Sequence, residues 1–140
     1  MGNVQTHRDA HDAFNRRDYD EMVRAFRADA SYVDHPRGMS VKGPHEFSDW
    51  TQGWVRTFSD ANLRNPRYID GGDHTVALFE GTGTNDGPLG TLPPTNKRIN
   101  VPFCEVMRYD EDGRIVAGEI YYDNVTIMVQ LGHMQPLQSG

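Results

Sequence analysis

The sequence predicts an α+β fold in which a curved antiparallel sheet wraps around N-terminal helices and leaves a conical pocket between them. Three observations carry this. Apolar residues recur at helical spacing through the first third of the chain, and from Asn62 onward the period changes to two. Gly71-Gly72-Asp73 and Asp110-Glu111-Asp112-Gly113 interrupt that second region as hairpin turns. Phe47, Trp50, Trp54 and Phe58 fall on one face of a helix, and an aromatic helix laid on a curved sheet encloses a tapering cavity.

Taken in order, Val4, Ala10, Ala13 and Phe14 form a short amphipathic stripe. Asp18 with Glu21 makes a capping pair before Tyr19, Met22, Val23 and Phe26, which predicts a second helix. Ser31 to Asp34 reads as a brief strand, stopped by His35-Pro36-Arg37-Gly38. Gly43-Pro44 opens the aromatic helix, with proline at its first position. Strands are expected over 62–70, 74–84, 99–109 and 114–123, with a Gly- and Pro-rich loop over 85–96. Val125, Ile127, Met128 and Leu131 suggest a closing helix ended by Gly132, and the tail from His133 to Gly140 is expected to fray. The 140 residues thus form one expected domain with an ordered core of about 4–132.

Composition narrows the function. A formal charge of -6 with scattered Lys and Arg leaves no basic stripe for a nucleic-acid backbone. Cys104 is alone, so neither a disulfide framework nor a cysteine metal cluster is expected. No segment approaches the roughly 20 apolar residues of a membrane span. The polar start, Met1 to Thr6, carries no signal-peptide core, which makes a cytoplasmic address the default expectation. Gly81-Thr82-Gly83-Thr84-Asn85-Asp86-Gly87 is glycine-rich but lacks the Gly-Lys-Ser/Thr ending of a phosphate loop, and no nucleophile elbow occurs.

Candidate chemistry gathers on the last two strands. Ile99, Val101, Phe103, Glu105, Met107 and Tyr109 share one strand face, so Glu105 is a carboxylate among hydrophobic neighbours. On the next strand Asp123, Tyr121 and Glu119 share a face with Ala117 and Ile115. Adjacent strands would then present Glu105 and Asp123, with Tyr121 nearby, to one cavity, where carboxylates of unequal pKa suit acid–base work. Other readings stand beside these. Asp123 also occupies the place of a cap for the closing helix, and Glu105 could face a neighbouring arginine or solvent. His35, beside Asp34, could be an oriented acid–base or simply part of the Pro36 turn. His7 and His11 lie one helical turn apart, but Arg8 replaces the glutamate of a zinc-protease helix and no third ligand is evident, so no metal is expected. Phe47, Trp50, Trp54 and Phe103 would form the wall around a small hydrophobic ligand, with Asn85 also expected at that ligand.

Several of these segments, in this order, resemble the SnoaL-like polyketide cyclases of the nuclear transport factor 2-like superfamily. They are Tyr32-Val33-Asp34-His35, the helix with Trp50 and Trp54, Gly81-Thr82-Gly83-Thr84, Leu92-Pro93-Pro94-Thr95, Asp112-Gly113-Arg114-Ile115, and Tyr122-Asp123 through Gln130-Leu131-Gly132. The resemblance implies a cone-shaped α+β barrel, a homodimer joined through the outer face of the sheet, and no metal or organic cofactor. It further implies an intramolecular aldol ring closure in which Asp123 matches the acid–base aspartate. Asn85 stands where many relatives carry a histidine after the Gly-Thr pair, and the segment Ala117-Gly118-Glu119 lacks the histidine that precedes the aspartate in the cyclases. A steroid-isomerase-like enzyme, and a protein that binds a small apolar ligand without catalysis, are the competing expectations.

Overall fold

The computed structural model describes residues 2–136; residues 137–140 of the expected frayed tail lie outside the described range. Helices α1 (Asn3–Asn15) and α2 (Tyr19–Met22) precede strand β1 (Phe26–Asp34) and strand β2 (Met39–Lys42). Helix α3 (Gly43–Thr57) follows, then β3 (Asn62–Asp70), β4 (His74–Thr84), β5 (Arg98–Tyr109), β6 (Ile115–Tyr122) and α4 (Asn124–Leu131). The six strands make one sheet in the order β2-β1-β6-β5-β4-β3. Every pair is antiparallel except β1 with β6, which run parallel across the long connection through α3 and the β3–β5 meander.

The expected α+β architecture is present, with local differences that have physical reasons. Asp18 does cap α2, accepting from the Glu21 amide, but the helix lasts one turn and Phe26 already starts β1. Val23 and Phe26 are buried or half-buried from a turn and a strand rather than from a helix, so their helical spacing is coincidental. Strand β2, unforeseen in the sequence, is four residues paired at the sheet edge after a turn that needs Gly38 in the left-handed region, φ 62°.

Strand β5 alternates as expected: Ile99, Val101, Phe103, Glu105, Met107 and Tyr109 are all buried. Strand β6 does not keep its parity. Tyr109 pairs with Ile115 but Arg108 pairs with Ala117, so one extra residue, Val116, is inserted on β6. Such a bulge exchanges the two faces of everything beyond it. Gly118, Ile120 and Tyr122 therefore turn inward, and Ala117, Glu119 and Tyr121 turn outward.

The helices cover the concave face. Their buried residues (Phe14, Met22 and Phe47 among them) close over Ile99, Val101, Phe103 and Ile120 of the sheet. No helix of the described residues is long and apolar enough to cross a membrane.

Candidate functional site

Between α1, α3 and the sheet lies a cavity of ≈ 80 Å³. Phe14, Phe47, Trp50, Trp54, Phe79 and Phe103 supply most of its aromatic wall, so the expected wall residues Phe47, Trp50, Trp54 and Phe103 are all in place. Edge-to-face contacts link Trp54 to Phe103 and to Tyr122, at ring separations of 5.9 and 5.4 Å. At one side of this apolar space stand two ionisable groups, His11 and Glu105.

Glu105 is 4% exposed and is bonded through both oxygens. Its Oε1 accepts from His7 Nε2 at 2.8 Å and from His11 Nε2 at 2.6 Å; its Oε2 accepts from the Tyr32 hydroxyl. Helix geometry explains the convergence: His7 and His11 are separated by one turn and project from the same buried stripe as Ala10 and Phe14. Each imidazole is held from behind. Thr75 Oγ1 lies 2.8 Å from His7 Nδ1, and the Tyr109 hydroxyl 2.8 Å from Thr75 Oγ1. Tyr68 Oη lies 2.8 Å from His11 Nδ1, with the Arg8 guanidinium stacked on the Tyr68 ring.

A buried carboxylate is costly unless paired, and here pairing wins. Burial pushes the Glu105 carboxyl up, but the charge and hydrogen bond of His11, reinforced by those of His7, hold it well below the usual carboxylate range. Burial also holds the His7 imidazole below its ordinary value despite the bond to Glu105, so His7 is neutral and donates from Nε2. Its Nδ1 then accepts from Thr75, which accepts in turn from Tyr109. Burial likewise raises the Tyr32 and Tyr68 hydroxyls and takes that of Tyr109 up to about 12, which keeps all three protonated as donors. A carboxylate has about four acceptor positions. Three are filled, and one on Oε2 is left.

Asp123 is not in this site. It is exposed at the N-terminus of α4, where Oδ1 accepts from the Val125 and Thr126 amides at 2.9 and 3.3 Å and Oδ2 from the Thr126 hydroxyl at 2.7 Å. Those bonds, the Thr126 hydroxyl first, hold its carboxyl below the ordinary value, the reverse of what a base in an apolar pocket would show. The residue is a helix cap, and the bulge in β6 is why it faces outward. Asp123→Ala is expected to lower the thermal midpoint by a few degrees through loss of that cap while leaving ligand binding in the cavity intact. A thermal melt with and without a cavity ligand checks both halves.

Tyr121 and His35 are outside as well. Tyr121 is 45% exposed, its hydroxyl donates to Glu119 Oε1 at 2.6 Å, and its ring stacks on His35 at 4.5 Å. His35 also bonds Glu119 at 2.8 Å, so the three form a surface cluster on the convex side. The neighbouring Asp34 points in: it is 1% exposed and accepts from Arg37 Nε, the Tyr122 hydroxyl and Trp50 Nε1 at 2.7, 2.8 and 3.1 Å. Arg37 in turn lies over the Trp54 ring at 4.7 Å, so the Asp34 cluster fixes both tryptophans of the cavity wall. Asn85, expected at the ligand, is fully buried away from the cavity. It ties the 85–96 loop together, donating to the Gly87 carbonyl at 2.7 Å and accepting from the Thr95 amide at 3.0 Å.

The comparisons place this architecture. The polyketide cyclase candidate IdmH of Streptomyces antibioticus superposes with a TM-score of 0.82 at 21% identity, covering 94% of this chain and 99% of that one. A SnoaL-like polyketide cyclase candidate from Jannaschia gives 0.84 at 18%, covering 96% and 93%. A Catenulispora acidiphila protein with a ketosteroid isomerase-like fold, solved with trimethylamine, gives 0.78 at 20%, covering 91% and 92%. Identities this low establish the shared fold alone. No curated protein matches the chain significantly. A SnoaL-like domain profile, however, matches residues 7–118, most of the chain and nearly all of the elements that build the cavity, and on that match the chain belongs to the SnoaL-like domain family.

Proposed function

We propose that the protein is a cyclase- or isomerase-type enzyme that moves a proton on a small hydrophobic dicarbonyl compound, with Glu105 as the acid–base. The observation that carries this reading is Glu105 itself, the carboxylate lining a largely apolar cavity and gripped by His7, His11 and Tyr32. The role assigned in the sequence to Asp123 thus passes to Glu105, and Tyr32 and His11 stand beside it in place of the candidates Tyr121 and His35.

The substrate class follows from base strength. A carboxylate held low is a weak base, so it can remove only a carbon-bound proton that is already acidic, such as one between a ketone and an ester. In an aldol closure that proton would pass to the free position on Glu105 Oε2, and the enolate carbon would form a bond to a second carbonyl carbon of the same molecule. The resulting alkoxide would then recover the proton from Glu105, so nothing is gained or lost. The structural neighbours described as polyketide cyclases agree in kind with such a substrate. The cavity's ≈ 80 Å³ is small beside the roughly 300 Å³ or more of common ligand sites. A polycyclic substrate would therefore require Trp50 or Trp54, both only half-buried, to swing outward.

Deuterium uptake tests the proton step without knowledge of the natural substrate. In D2O, the protein should accelerate exchange at the acidic carbon of an aryl β-keto ester, followed by proton NMR. Glu105→Gln, checked for folding by circular dichroism, should lower that rate roughly 100-fold or more. Equal rates for the two folded proteins would end the proposal, and tight ester binding without exchange would favour a ligand-binding protein instead.

Homodimerisation through the outer sheet face belongs to the same proposal. Val76 and Val106 are paired there half-exposed, beside half-exposed Leu78 and exposed Tyr121. Sedimentation should give twice the 15.9 kDa chain mass. A single-chain mass at micromolar concentration would refute this part.

A further inference from the structure

The cluster around Glu105 also has the composition of a metal centre. We propose that His7, His11 and Glu105 form a binding site for one divalent first-row transition-metal ion, with further coordination positions toward the cavity. The inference does not rest on the acid–base reading, because an ion on Glu105 and a proton on Glu105 are alternative occupancies of the same group.

Three features support it. First, the ligand atoms of all three residues lie within 4.8 Å of one another and all three residues are buried. Donors arranged tetrahedrally around an ion at about 2.0–2.2 Å sit roughly 3.4 Å apart. The present separations of 2.6 and 2.8 Å from Glu105 to the two imidazoles would therefore open by roughly 0.6–0.8 Å on its entry. Second, the donor set is two imidazoles and one carboxylate, which suits zinc, cobalt or iron rather than the all-oxygen preference of calcium and magnesium. Three protein ligands beside a cavity is the arrangement of metal sites that keep an open position.

The third feature is the most specific. To bind an ion, each histidine must present Nε2 as a bare lone pair and carry its proton on Nδ1. Both Nδ1 atoms face hydroxyls, Thr75 for His7 and Tyr68 for His11, and a hydroxyl can accept as readily as donate. The Thr75–Tyr109 contact can reverse with it, since either oxygen there can be the donor. Both imidazoles can thus switch tautomer without losing a hydrogen bond. Support of this kind behind each ligand is what orients metal-binding histidines. The Tyr32 hydroxyl does the same for the carboxylate from Oε2.

Cobalt(II) serves as the probe, added to chelator-treated, desalted, untagged protein. Exposed His45 pairs with Asp49 and exposed His74 with Asp73, so a His45→Ala, His74→Ala background removes these surface sites. The expected result is one ion per chain retained after gel filtration, with visible ligand-field absorption. His11→Gln should abolish the absorption. Tyr68→Phe keeps all three donors and should weaken cobalt binding about 10- to 100-fold. A folded protein that retains no cobalt, or absorption that persists unchanged in His11→Gln, would overturn the site. If His11→Gln does not fold, unaltered affinity in Tyr68→Phe overturns it. Failure here would leave the deuterium-exchange result untouched.

Discussion

Glu105→Ala is expected to destabilise the protein by roughly 3–5 kcal/mol in urea unfolding at neutral pH, a large share of the roughly 5–15 kcal/mol that keeps an ordinary domain folded. The carboxylate is the common acceptor for His7, His11 and Tyr32, and His7 and Tyr32 are almost wholly buried. Removing it strands three donors away from water, and each carries its own desolvation penalty. The cavity left behind adds to the loss. Glu105→Gln should cost less, because the amide fills the space and its oxygen still accepts. It presents an NH2 group to one of the two donor sets, however, and cannot satisfy both. A Glu105→Ala protein as stable as the parent would show that the cluster is not held together by this charge, and the account of the site would fall with it.

How much of this was legible in the sequence depends on whether the deciding contact is local. The β5 alternation is local, and it placed Glu105 inside correctly together with Phe103. The aromatic stripe of α3 is also local, and Phe47, Trp50 and Trp54 line the cavity as their spacing requires. The β6 bulge is not local. It arises where Ile115 and Ala117 are fitted to Tyr109 and Arg108 as well as to Phe26 and Ser31 of β1, and no residue near Val116 announces it. Counting by twos from Ile115 therefore put Asp123 and Tyr121 on the wrong face. His35 failed by one position, since inward-facing Asp34 sends the next residue out. One signal was present and unused. His7 and His11 sit on the same arc of α1 as Ala10 and Phe14, and Glu105 sits on an equally apolar strand face. Buried polar groups need partners, and two histidines and one acid on facing apolar surfaces are partners for one another. The acceptor that both histidines share, Glu105, was already identified on its strand, 94 residues beyond His11.

The same cluster should make the metal-free protein lose stability on mild acidification, in two stages with a fixed sign. His7 titrates near 6.5 in the unfolded chain but lower when folded, because burial disfavours its charged form. Below pH 6.5 the unfolded state therefore binds a proton that the folded state refuses, and stability falls with pH by up to about 1.4 kcal/mol per unit. Glu105 has an ordinary value of 4.5 and is held below it when folded, where burial is outweighed by His11 and His7. Its contribution is complete above that pH and is lost below it, again because the unfolded chain takes up the proton first. Both slopes point the same way, so the decline should begin near pH 6.5 and steepen near 4.5. Urea midpoints measured from pH 8 to 4 in the presence of chelator would show this. His7→Gln should erase the upper stage and keep the lower one. A midpoint that stays flat between pH 6.5 and 5 would mean that His7 takes up its proton inside the fold. Glu105 would then face a cationic His7 rather than the neutral donor described above.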